Sequence, residues 1–168
     1  MKLFTVSIIA AALLAVSAQA ADAGEPVVLP IPRLSMDLAL KAAKAAIATC
    51  RKAGVNVGVT LVDRGGHPQV VLRDTLAMDL TLTLSRQKAY TALSFNTPSS
   101  QLAGRFPGAY SVPKIDGVLV AAGGLPITAG GAIIGGIGVS GAPSGKLDER
   151  CAQAGLDAIN FDLQTLEF

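Results

Sequence analysis

The chain carries one histidine, two cysteines, and aromatic residues at only 4% of its 168 positions. Each scarcity closes off a class of chemistry. With His67 as the sole imidazole, a metal site built on two or three His is impossible within one subunit. No Cys-x-x-Cys-His run occurs, which excludes covalently attached c-type haem. A Walker A lysine pattern is absent. Basic runs are missing and aromatics hardly interleave with cations, which argues against nucleic acid as a partner. No Ser-His-Asp order, catalytic carboxylate pair or metal-ligand cluster stands out, because the acids scatter over predicted helix faces and caps.

What is abundant is small and aliphatic. Hydrophobic residues make up 51% of the chain, so Ala, Val, Leu and Ile must build the core. The length suits one domain with a real interior. Charge is nearly balanced, at a formal +2.

The first residues read as a leader. Met1-Lys2 is a short basic start, Leu3 to Val16 is apolar, and Ala18-Gln19-Ala20 is a small-x-small cleavage site. Residues 1–20 are therefore expected to be a secretory signal peptide, leaving a periplasmic or secreted protein. No later apolar run approaches membrane-spanning length, so no membrane span is expected after cleavage. Residues 21–33 form a Pro-containing extended lead-in, and 34–168 a single domain.

Within that domain, Ser35 reads as an N-cap. Met36, Leu40, Ala43, Ile47 and Cys50 follow at helical spacing, and Gly54 closes the helix. Val55 to Asp63 alternates as a strand, with Val57, Val59 and Leu61 on one face. Arg64-Gly65-Gly66-His67-Pro68 turns into a partner strand, Gln69 to Arg73. Thr81 is placed to cap a second helix reaching Phe95, with Leu82, Ser85, Ala89 and Leu93 on one side. Thr97-Pro98 restarts a short helix. Gly104 to Lys114 is a broken, polar loop suited to a lid or pocket wall. Gly117 to Ala122 reads as a third strand.

The stretch from Gly123 onward organises the rest. Leu125 to Thr128 is a short strand whose Pro126 suits an edge. Ala129-Gly130-Gly131 supplies a hairpin turn. Ala132 to Ser140 is the return strand, with Ile133, Gly135, Ile137 and Val139 on one face. Its other face carries Ile134, Gly136, Gly138 and Ser140, nearly bare backbone. A glycine stripe implies a close neighbour. The expected one is the helix that follows, through Ala154, Gly155 and Ala158. Helices and strands do not alternate as βαβ units, so α+β with an antiparallel sheet is expected.

Gly136-Ile137-Gly138-Val139-Ser140-Gly141 matches G-x-G-x-x-G, but its glycines lie inside the strand and no acidic ribose partner follows on a later strand. It is not read as a dinucleotide site. Gly123-Gly124 could present backbone N–H groups to an anion, or could simply be a tight turn. His67 could ligate haem or act as a general base, although a solvent-exposed turn residue is the plainer reading of its setting.

Three ordered motifs carry a resemblance. Gly123-Gly124-Leu125-Pro126-Ile127, then Ile137-Gly138-Val139-Ser140-Gly141, then Asp148-Glu149-Arg150-Cys151-Ala152, resemble the signature of the GlcG/HbpS family. That family is often described as haem-binding or haem-degrading, and it includes the C-terminal domain of PduO. The resemblance covers about residues 34–163 and implies a five-stranded antiparallel sheet flanked by helices, profilin-like in outline. Arg73 and Lys88 match the family's Arg after the second strand and the Lys of its Lys-Ala-Tyr-Thr-Ala helix. Cations at these places would hold a carboxylate or a haem propionate, with Gly123, Gly124 and Pro126 as the facing wall. A Gly-Pro-His segment found in many exported relatives is replaced here by Met78-Asp79-Leu80. Haem ligation would then fall to His67, to Met78 as a soft ligand, to a Tyr, or to a partner subunit.

Cys50 and Cys151 lie on predicted buried seams. In a profilin-like fold the first and last helices pack side by side, so the pair either forms a disulfide or stays as two buried thiols. The resemblance further implies a homo-oligomer. The function expected is an exported small-molecule-binding protein, with haem or a haem-like anion as ligand. The alternatives are an enzyme on a small organic acid and an accessory subunit of a periplasmic system.

Overall fold

A computed structural model describes residues 27–106 and 112–165. The leader reading falls outside the described residues, as does the central part of the Gly104–Lys114 loop. The described residues from Ile31 onward form one compact unit.

Helix α1 (Met36–Lys52) starts where Ser35 Oγ accepts the Leu38 N–H at 3.3 Å, and it stops at Gly54, whose φ is +76°. Its buried stripe is almost all alanine, with Ala39, Ala42, Ala43, Ala46, Ile47 and Cys50 inside. Met36, expected on that seam, is exposed. Strands β1 (Gly58–Asp63) and β2 (Pro68–Arg73) form the first hairpin. Helix α2 (Leu80–Phe95) begins one residue before Thr81. Thr81 therefore does not cap it from outside: its hydroxyl donates to the Met78 carbonyl at 2.6 Å. A short 3-10 helix, Ser99–Leu102, follows Pro98. Strands β3 (Gly124–Ala129) and β4 (Ala132–Ser140) turn through Gly130 and Gly131, both at positive φ. Helices α3 (Gly145–Asp157) and α4 (Asn160–Gln164) complete the unit.

The sheet is antiparallel in the order β2-β1-β4-β3. It has four strands among the described residues, one fewer than expected. The Gly117–Ala122 segment is not a strand, because side chains take its backbone groups. Thr91 Oγ1 accepts the Leu119 N–H at 2.8 Å, and Ser99 Oγ donates to the Ala121 carbonyl at 2.7 Å. Pro126 lies on β3, an edge strand, where a missing donor costs no ladder bond.

One sheet face packs under α1 and α3, with Val57, Val59, Leu61, Ile127, Ile137 and Val139 in the core. A bulge after Ile127 shifts the register, so Ile134 joins that core while Ile133 packs on the opposite face. This reverses the expected sides of the two isoleucines. The second correction concerns the glycine stripe. Its neighbour is α2. A Cβ on Gly136 would stand 2.6 Å from the Ala89 carbonyl oxygen, and one on Gly138 would overlap that of Ser85. Gly155 of α3 instead meets α1 on the far side, where its Cβ would lie 2.8 Å from Ala42 O. There Cys50 and Cys151 are joined by a disulfide, their Cα atoms 5.6 Å apart.

Candidate functional site

Helix α2 divides two hollows on its face of the sheet. The first, about 730 Å³, opens between α2 and the β1–β2 hairpin. Asp63, ending β1, shapes the turn at its rim. Its Oδ1 accepts the backbone N–H of Gly65 at 2.9 Å and of His67 at 3.0 Å. The same oxygen stands 3.5 Å from His67 Nδ1, and Arg33 is 3.3 Å from Oδ2. Burial pushes the Asp63 carboxyl upward, but the two N–H donors together with Arg33 and His67 outweigh it and hold the group below its ordinary range. The imidazole is exposed, with the Asp63 carboxylate standing beside Nδ1. Tyr90 forms part of the wall. Its ring lies against Gly66 and Gly117, both at positive φ, and a Cβ on Gly66 would stand 2.8 Å from the ring. Val71 and Leu82 add apolar surface, and Arg86 a guanidinium.

The second hollow, about 570 Å³, opens between α2 and the start of α3. Lys88 is buried at its floor, donating to Asp148 Oδ2 at 2.8 Å and to the Val139 carbonyl at 3.0 Å. Asp148 also accepts the Ala142 N–H at 3.0 Å. Burial is the main influence on Asp148 and leaves its pKa raised, although Lys88 and the Ala142 N–H pull the other way.

Gly123 and Gly124 do come together with Lys88. A Cβ on Gly123 would lie 2.9 Å from Lys88 Nζ, and one on Gly124 would overlap the Lys88 carbonyl oxygen. Their N–H groups, however, are taken from within the protein. Gly124 donates to Ser99 Oγ at 2.8 Å and Gly123 to Glu149 Oε2 at 3.3 Å. Arg73 is not with them. It lines a separate surface hollow beside Arg51 and Asp74, and its guanidinium donates to the Ala77 carbonyl. Met78 is exposed at the mouth of the second hollow, on the other side of α2 from His67. The two residues suggested as haem ligands therefore serve different hollows. Asp63, Arg86, Tyr90 and Asp148 were not singled out as site residues from sequence. Asp148 and Glu149 stand inside a quoted motif, yet nothing in their spacing announces that they turn back onto Lys88 and Gly123. Among the described residues there is no cluster of His, Cys, Asp and Glu able to hold a metal ion, and no helix long and apolar enough to cross a membrane.

An antiparallel sheet with helices on both faces defines an α+β domain, with hollows on either side of one helix. Residues 34–157 match the model of a family described as haem degrading protein HbpS-like, and the chain belongs to that family. The crystal structure of HbpS superposes with a TM-score of 0.76 at 43% identity, covering 79% of this chain and 94% of that one. A PduOC:haem complex superposes with a TM-score of 0.71 at 28% identity, covering 77% and 96%. An uncharacterized 15.0 kDa protein from the dhaT-dhaS intergenic region of Citrobacter freundii is 28% identical over 135 residues, 77% of this chain and 94% of that relative.

Proposed function

We propose that this protein binds haem, or a flat anionic ligand like it, in the hollow between α2 and the β1–β2 hairpin. The observation that carries the reading is His67 at the rim with Asp63 behind it. The donor set suits such a ligand. An imidazole would supply the axial nitrogen, Val71, Leu82 and the Tyr90 ring apolar contact, and Arg86 the charge for a propionate. The volume lies within the usual range for small-molecule sites, about 300–1,000 Å³. Crystallisation of the related PduOC with haem supports the ligand class. Haem bound there would offer a redox-active iron. What this chain contributes is orientation of one imidazole, a cation for the carboxylates and partial exclusion of water.

Arg86 takes the part first given to Arg73, because it lines the hollow that holds His67. Export belongs to the same proposal and is supported by the disulfide, which persists in oxidising compartments. So does a homo-oligomer, which light scattering of the mature protein would test. Titration of purified protein with haem, followed at the Soret band, tests the binding. His67→Ala should shift the spectrum and Arg86→Ala should weaken binding without shifting it. No saturable spectral change would remove the proposal.

A further inference from the structure

The loop that leads to β3 holds the only Asp-Gly pair in the chain, Asp116-Gly117, and Asn-Gly does not occur at all. The Val118 N–H donates to the Ile115 carbonyl at 3.1 Å and closes a four-residue turn with Asp116 and Gly117 at its centre. Gly117 has a φ of +88°, the conformation that favours glycine at the third place of such a turn. Asp116 is exposed and lines the first hollow together with Arg86 and Tyr90. Among the described residues no hydrogen bond or ion pair holds its carboxyl, and none holds the Gly117 N–H.

That combination is reactive. An Asp carboxyl can close on the backbone nitrogen of the next residue to form a five-membered cyclic imide. Here the new bond joins Asp116 Cγ to the Gly117 nitrogen, and one water leaves, carrying the carboxyl hydroxyl and the amide proton. Water then opens the ring at either carbonyl. Opening at Cγ restores Asp. Opening at the main-chain carbonyl breaks the original peptide bond, so the chain runs through Cγ and the old carbonyl becomes a free carboxylate. The sum is an isomerisation that needs no oxidant or reductant. Two things obstruct it elsewhere: a side chain on the following residue, and an attacking N–H or carboxyl already engaged. Every other described Asp is followed by a residue with a side chain. The Leu38 N–H after Asp37 is taken by Ser35 Oγ, and the Ala158 N–H after Asp157 by the Ala154 carbonyl. The carboxyls of Asp63, Asp74 and Asp148 are held by backbone N–H groups or by cations.

We infer that Asp116 is a modification site, at which the folded protein converts to isoaspartate as it ages. The product carries one extra methylene in the main chain between Ile115 and Gly117, and its carboxylate sits one carbon closer to the backbone. Gly117 backs the Tyr90 ring, which lies 3.6 Å from where a Cβ on Gly117 would stand. Lengthening the turn therefore displaces that wall of the hollow and moves the carboxylate that lines it with Arg86. The modification stands whether or not haem binds there.

The test ages the mature protein in warm, neutral buffer, with circular dichroism to show that it stays folded. Samples are then labelled with protein isoaspartyl methyltransferase, which methylates isoaspartate in preference to aspartate, and the label is located by peptide fragmentation. Methyl incorporation should rise with time and map to Asp116. Asp116→Glu keeps the charge but would have to close a six-membered ring, so it should lose nearly all of the label. Asp116→Asn should acquire it several-fold faster, because ammonia leaves the side chain more readily than water. In the aged parent, NMR signals of the Tyr90 ring should move in step with the loss of the Asp116 signal. A folded protein that gains no label at Asp116, while heat-unfolded protein does, would show that the turn protects the pair and would overturn the assignment. Label spread over the other Asp residues, with Asp116 no faster than the rest, would overturn it equally.

Discussion

Lys88 and Asp148, sixty residues apart in sequence, form an ion pair of 2.8 Å that is almost completely closed to solvent. It ties α2, on one face of the sheet, to the first turn of α3, which crosses to the other. Both charges have left water, so their attraction first has to offset a desolvation cost of several kcal/mol per ion. Breaking the pair from one side strands a buried charge. Asp148→Ala is expected to destabilise by about 3–5 kcal/mol. The double replacement Lys88→Met with Asp148→Leu should cost clearly less. Chemical denaturation of the three proteins measures the difference, and equal losses would mean the pair acts only through packing.

Gly138 predicts a sharper steric outcome. A methyl group there would overlap the Ser85 carbonyl oxygen and press on the backbone nitrogen of Ala89. Backbone of a packed helix cannot step aside as a flexible side chain does. Gly138→Ala should cost at least about 2 kcal/mol, in the range of overpacked cores. A denaturation midpoint equal to the parent's would show that α2 can lift away from β4.

The Cys50–Cys151 bond closes a loop of 101 residues between α1 and α3. In the chain-entropy account such a loop is worth roughly 4–5 kcal/mol. Replacing both cysteines by Ala is expected to lower the melting temperature by about 10 °C at this size. Calorimetry of the oxidised, reduced and substituted forms checks it. Reduced and substituted protein should agree, because both Sγ positions are buried and Ala fits among the alanines of α1.

Acid stability rests in part on Asp74. Arg51 grips its carboxylate through two hydrogen bonds, 2.6 and 2.8 Å, and holds its pKa below the ordinary 3.8. A lowered folded pKa gives stability that is present above the unfolded value and lost as pH falls through the folded one. Asp63 is shifted the same way. Asp148 is shifted upward, so its contribution runs oppositely and fades as pH rises through its folded pKa. Asp74→Asn should therefore flatten the loss of stability below about pH 4. The effect is modest, since Arg51 is well exposed and its charge is screened. Denaturation midpoints at several acidic pH values would reveal it, and parallel curves for parent and variant would contradict it.

Local chemistry made much of this fold legible in the sequence. Ser35, Gly54, Pro98 and the Gly130-Gly131 pair each fix an element end through a cap, a positive φ or a missing donor, and each stands where its chemistry requires. The glycine stripe on β4 correctly announced a close neighbour. Which helix it was depended on tertiary choice, because alanine-rich faces occur on both α2 and α3. The extra strand at Gly117–Ala122 failed for a related reason. Its apolar run satisfied a strand pattern, but Thr91 and Ser99 capture its backbone from distant positions. The site was less legible still. Sequence placed Lys88 beside Gly123 and Gly124, but it could not show that Asp148, Glu149 and Ser99 already fill those donors. Arg73 and Arg86 are alike as isolated cations, and only the packing of α2 against the hairpin sets Arg86 near His67.

The central claim is tested most directly by haem titration of the mature protein beside His67→Ala and Met78→Ala. The account predicts a saturable Soret band in the parent, a shifted band with His67→Ala, and an unchanged band with Met78→Ala, which lies across α2 in the other hollow. A band that survives His67→Ala unaltered, or one that shifts with Met78→Ala instead, would contradict the placement of the ligand.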